Sequence, residues 1–162
     1  MTPASERLNP YASFLGERDP LEALAHTADH LRQMISTLEA TRLVRRPAPA
    51  KWSIRDILCH LADSEIVFGF RLRQTAAEAH HVIQPFDQDA WAAPAAKLDA
   101  HAALDAFAAI RTWNLLFVHA VIPGALDKPV THPERGTMTF QAIVETMAGH
   151  DINRTRQIEA LA

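Results

Sequence analysis

The chain has 162 residues, 48% of them apolar and 22% charged, which suits one domain with a substantial core and is short for two. Its net charge of −3 removes the electrostatic case for a nucleic-acid surface, which needs clustered cations. The single cysteine, Cys59, excludes an internal disulfide framework and fits a reducing compartment.

Residues 1–18 read as an N-terminal extension of one domain spanning 1–162. They lack the charged start and continuous apolar run of a secretory leader, and no apolar run approaches membrane-spanning length. These features predict a cytoplasmic location with no membrane partner. Pro20 suits the first turn of a helix. Leu21, Leu24, Ala28, Leu31, Ile35 and Leu38 then recur at helical spacing up to the two prolines of "RRPAPA". Ser53 is a good N-cap, with Asp56 in the capping-box position. The helix it starts carries Ile54, Ile57, Leu58, Leu61, Phe68 and Leu72 and gives way near His80.

Next comes "VIQPFDQDAWAAP", a loop with a short turn, its irregular part at Pro85–Pro94. A third helix is expected over Lys97–Ile122, stopped by Pro123 and Gly124. A second long loop, Gly124–Thr137, leads to a fourth helix capped by Thr139 or Thr137. Loops of this length point to functional or partly structured segments. No stretch shows sustained period-two alternation. Four helices, each with one apolar stripe, must bury those stripes together, so the expected fold is all-α, a four-helix bundle.

Several polar residues fall on or near the inward stripes. His60 lies beside Ile57, Ser64 and Phe68, and His150 lies on the inner face of the last helix. Two inward histidines on separate helices can meet in a bundle interior and bind metal; equally, each can be a core histidine satisfied by one hydrogen bond. Glu65 falls near the centre of the stripe of Leu61, Phe68 and Leu72. It either finds a buried partner or sits at the bundle edge after a small roll of the helix. Asp63 and Asp151 point further outward. His26 and His30, one turn apart, form a solvent-edge pair, and His80, His81, His101, His119 and His132 have no partner at ligand spacing. Cys59 reads as a small buried hydrophobe. Trp52 is placed to staple a helix entry, Trp91 to lie as a lid over the bundle mouth, and Trp113 to be core.

The segments "PAPAKWSIRDILCHLADSE", "FDQDAW" and "AGHDINRTRQI" resemble, in order and spacing, the DinB/YfiT-like superfamily of metal-dependent enzymes. The resemblance runs from about Pro20 to the end of the chain. It implies a dimeric four-helix bundle and a divalent metal, typically nickel or zinc, on three histidines. His60 and His150 match two of the ligands. The third would stand at position 154, where this chain has Arg154. Family activities include thiol S-transfer, thiol-dependent isomerisation and hydrolysis.

Arginine stays protonated and offers no lone pair to a metal. Three outcomes follow for this centre. It is metal-free, with Arg154 paired to Glu65 or Asp63; or a substitute ligand such as Asp63 completes it while Arg154 turns away; or Arg154 makes it a site for a small anion. The corresponding functions are a metal-assisted thiol transferase or hydrolase, a metal-free small-anion-binding bundle, and a structural or dimerisation domain with a decayed site.

Overall fold

The computed structural model describes residues 8–79 and 81–162, and in it Ala12–Leu15 form a one-turn helix, α1, ended by Gly16 at φ 61°. Residues 1–7 of the expected extension, and His80, lie outside the described residues. The rest of that extension is part of the fold, because α1 packs on the last helix. Asp19 caps α2 (Pro20–Ile35), its carboxylate accepting from the Leu21 and Glu22 amides at 2.8 and 3.0 Å.

The helix expected to continue to "RRPAPA" is two helices. Ser36 Oγ donates to the Gln33 carbonyl at 2.8 Å, the local back-bonding by which serine competes with helix propagation. A second piece, α3 (Ala40–Val44), then inserts Leu43 into the core. The capping box forms as expected at α4 (Ile54–Ala77): the Ser53 amide donates to Asp56 Oδ2 at 2.9 Å and the Asp56 amide to Ser53 Oγ at 3.2 Å.

The first long loop contains α5 (Gln88–Ala92), capped by Asp87, and a 3-10 turn over Ala93–Lys97. Asp99 caps α6 (Ala100–Val121). The second long loop contains an element the periodicity did not predict, an antiparallel hairpin of β1 (Pro129–His132) and β2 (Gly136–Thr139). Its strands are too short to show alternation, but Val130 opposes Met138 and both are buried. Gly136 at φ 87° closes the turn. Residues 81–83 join the hairpin through Ile83 N–H to Thr131 O at 2.8 Å and Thr131 N–H to His81 O at 3.0 Å. Thr139, rather than Thr137, caps α7 (Phe140–Leu161).

The long helices α2, α4, α6 and α7 form the bundle. Its apolar core is in two parts. One gathers Leu24, Leu72, Val118, Phe140 and Met147 with the hairpin; the other gathers Leu31, Ile54, Leu61, Phe107 and Ile158. Along α4, α6 and α7 the residues between these parts are buried and polar: His60, Ser64 and Glu65; Arg111 and Asn114; His150 and Asp151. The inward stripe of α6 therefore runs through Arg111 and Asn114, and Trp113, expected in the core, is 65% exposed on the opposite side.

Candidate active site in the polar layer

His60 and His150 meet in this layer. Each is under 5% exposed, and their Nε2 atoms are 2.9 Å apart. The Ser64 hydroxyl lies 3.4 Å from His60 Nε2. Trp52 packs on the His60 ring at 4.8 Å between centroids, and Tyr11 stands edge-on to His150 at 5.2 Å. Tyr11 can approach because residue 149 is glycine: a Cβ there would meet the Tyr11 carbonyl oxygen at 2.5 Å.

Arg154 reaches His150 from one turn further along α7. Its Nε–H donates to His150 Nε2 at 3.3 Å, its Nη1 donates to Gln157 Oε1 at 3.0 Å, and its guanidinium lies over the Trp52 ring at 5.0 Å. Arginine can only donate, so His150 Nε2 is the acceptor. His60 Nε2 then donates to the same atom, and the His150 proton sits on Nδ1. That nitrogen lies 3.6 Å from Asp151 Oδ1, too far for a hydrogen bond, and has no other partner among the described residues. Burial, with His150 and Arg154 as neighbours, depresses the His60 pKa to about 3. Burial also lowers that of His150, against the pull of Asp151. Both rings are neutral at neutral pH.

The partner expected for Glu65 is not Arg154. Arg111, which the sequence reading passed over, donates from Nε to Glu65 Oε1 at 3.0 Å, from Nη2 to Glu65 Oε2 and Asp151 Oδ2 at 2.7 Å each, and from Nη1 to the Leu24 carbonyl at 2.9 Å. Asn114 adds a bond from Nδ2 to Glu65 Oε1 at 2.9 Å. Asp151, expected outward, is 2% exposed. One cation is set against two carboxylates, so a second buried negative charge is the costly one. Burial raises the Glu65 carboxyl against its bonds to Arg111, whereas for Asp151 the Arg111 charge overcomes burial and holds it low. Asp63 is half-buried and free of ion pairs among the described residues.

A cavity of about 230 Å³ opens onto the pair, lined by Tyr11, His60, Ser64, Arg71, His132, Arg135 and His150 among others. His132, 7% exposed, is brought here by the hairpin, which helical spacing could not reveal. Trp91 is not among the lining residues. It packs on Phe86 at 5.1 Å and lines a neighbouring groove with Ile66 and Phe70. Arg154 faces another groove, with Lys51, Trp52 and Asp89. His26 and His30 line a separate surface groove with Glu159.

The residues do not fit a three-ligand metal centre. Arg154 occupies the His150 lone pair with an N–H, and among the described residues no group of three His, Cys, Asp or Glu side chains is placed to hold a metal ion.

The model of the DinB superfamily matches residues 23–158. The chain belongs to the DinB superfamily. A protein of Bacillus mycoides (strain KBAB4) named "Putative metal-dependent hydrolase" is 22% identical over 142 residues, covering 87% of this chain and 82% of the relative. A Bacillus cereus (strain 03BB102) protein of the same name matches with the same identity and coverage. Among solved structures, YfiT from Bacillus subtilis, described as a probable metal-dependent hydrolase with an unusual four-helix bundle topology, superposes with a TM-score of 0.81. It is 18% identical, over 88% of this chain and 83% of that one. The four-helix bundle is thus that of the DinB superfamily. No helix among the described residues is long and apolar enough to cross a membrane.

Proposed function

We propose that this DinB-superfamily chain acts on a small molecule at the His60–His150 cavity, in hydrolase- or thiol-transferase-type chemistry, with no tightly held divalent ion. The observation that carries this reading is the Arg154 Nε–H seated on His150 Nε2 at 3.3 Å. It puts a permanent cation and a donor where a third ligand is needed. The metal-dependent hydrolase names of the relatives support the reaction class, and Arg154 departs from the three-histidine pattern that the resemblance implies. The chain's own groups offer two neutral imidazoles, the Ser64 hydroxyl and the edge of Tyr11 around a bound molecule.

One observation favours a second reading, a pocket that binds without turnover. A His60 held near pKa 3 is a feeble general base at neutral pH.

The test is calorimetric titration of tag-free protein with zinc and with nickel at neutral pH, beside Arg154→His. The parent is expected to show no stoichiometric tight binding. The variant should bind about 100-fold more tightly or better, since even changes outside the ligand shell move affinity 10–100-fold. A parent that binds stoichiometric metal as tightly as the variant overturns the reading.

A further inference from the structure

The wall of the cavity beyond the histidines is cationic. Arg71, from the second half of α4, and Arg135, from the hairpin turn, both line it, and both also border a small adjoining void with His132 and Thr146. Arg71 is held in place rather than loose: its Nη2 donates to the Gln84 carbonyl at 3.2 Å and its guanidinium lies 5.9 Å from the centre of the Phe86 ring. Among the described residues neither arginine makes an ion pair. His132 Nδ1 accepts from the Glu134 amide at 3.2 Å, which leaves the ring proton on Nε2, a third donor.

Such an arrangement costs free energy as it stands. Burial and the neighbouring Arg135 lower the Arg71 pKa to about 10, and burial together with both arginines lowers that of His132. The fully buried Arg111 is matched by two carboxylates, Glu65 and Asp151, whereas the half-buried Arg71 and Arg135 have no such partner among the described residues. Among the described residues the only carboxylate lining the cavity is that of Glu134, which is exposed. Uncompensated guanidinium groups lining one concave site are complementary to an oxyanion, which they can grip through charge-assisted hydrogen bonds.

We propose that Arg71 and Arg135, with the Nε2–H of His132, form a binding site for the carboxylate or phosphate group of a small acid whose remaining atoms extend toward His60 and His150. This deepens the reading of the cavity as a small-molecule site by naming the class of molecule. A cavity of about 230 Å³ lies below the ~300–1,000 Å³ of sites for drug-sized ligands, so the acid is a small one. The anion lies away from Arg154, which faces a different groove.

The experiment is calorimetric titration of the full chain with succinate and, separately, with inorganic phosphate, in resin-treated metal-free buffer at low chloride. At least one is expected to bind with one-to-one stoichiometry, and which of them does so distinguishes a carboxylate from a phosphate ligand. Arg135→Gln should weaken that binding about tenfold, as expected for one charge-assisted contact. Glu134→Gln, which removes the opposing charge, should strengthen it, and added sodium chloride should weaken it. Arg135 is on a turn, so its variant should melt close to the parent without anion; if it does not fold, Glu134→Gln decides. Failure of both anions to bind at millimolar concentration overturns the proposal, as does Arg135→Gln binding like the parent, or no gain in Glu134→Gln. Metal is excluded and Arg154 untouched, so a failure here leaves the zinc and nickel result standing, and the reverse.

Discussion

The Arg111 network and the His60–His150 pair share helices α4 and α7 at nearly the same depth, yet they are built on opposite terms. Arg111 uses Nε, Nη1 and Nη2 on Glu65, Asp151 and the Leu24 carbonyl, and so ties α2, α4, α6 and α7 together. Its charges are fully engaged and closed off from solvent. The histidines are neutral, one ring nitrogen of His150 lacks a partner among the described residues, and both rings border a cavity. Adjacent residues make the division: on α7, Asp151 turns to Arg111 while His150 turns to the opening. Closed, satisfied charges fix the bundle geometry; neutral, under-satisfied donors beside a cavity are free to meet a ligand.

The largest effect should come from breaking the closed side. Arg111→Ala leaves Glu65 and Asp151 buried without their cation, which costs about 3–5 kcal/mol. That is a large share of the ~5–15 kcal/mol that holds a domain of this size. Urea unfolding should show the loss directly. His60→Gln, on the open side, should cost well under half as much at neutral pH. Equal losses for the two variants would erase the distinction between framework and site.

The difference between the clusters also explains what the sequence disclosed. Helix starts were legible at the capping box of Ser53 and Asp56 and at Thr139, because capping is local chemistry, but α6, expected from Lys97, begins at Ala100 behind its cap Asp99. The convergence of His60 and His150 was legible from two inward stripes. Arg111 was not, because a guanidinium at a core position reads as a surface residue until the carboxylates that neutralise it, from α4 and α7, are in view. Trp113 failed for the complementary reason: α6 is apolar on several faces, and the buried face is chosen by Arg111 and Asn114. His132 and Arg135 reach the cavity through a hairpin whose strands, Pro129–His132 and Gly136–Thr139, are too short for any period to declare itself.

A smaller effect should follow from Gly149→Ala. A Cβ at this position would stand 2.5 Å from the Tyr11 carbonyl oxygen and 2.8 Å from Tyr11 Cβ, and backbone cannot yield as a flexible side-chain tip can. The segment carrying Tyr11 should lift from α7, at about 1–3 kcal/mol, the usual cost of overpacking. The open cluster should become wetter while the closed one is untouched. Imidazole titration by NMR should then show the two histidines protonating at higher pH than in the parent. An unshifted titration, with parental stability, would mean that Tyr11 does not shield the pair.

The smallest effect separates the clusters by pH. His60 has a folded pKa of about 3 against an ordinary value of 6.5, so as pH falls below 6.5 the unfolded chain takes up the proton first. The stabilisation from a neutral His60 is complete above that value and is lost as pH falls toward 3. The slope approaches about 1.4 kcal/mol per pH unit for each histidine held neutral. His150, lowered in the same direction by burial, adds a second such contribution. Asp151, held low by Arg111, loses its contribution only below the ordinary carboxylate range. Glu65, whose carboxyl burial raises, titrates with the opposite sign, its contribution fading as pH rises. The readout is therefore the difference between parent and His60→Gln, in which the carboxylates cancel. Between pH 6.5 and 5 the parent should lose about 1.6 kcal/mol more than His60→Gln in urea unfolding. Parallel curves for the two proteins would mean that His60 takes up its proton in the folded bundle as readily as in the unfolded chain, and the open cluster would then not be a site that holds its imidazole neutral.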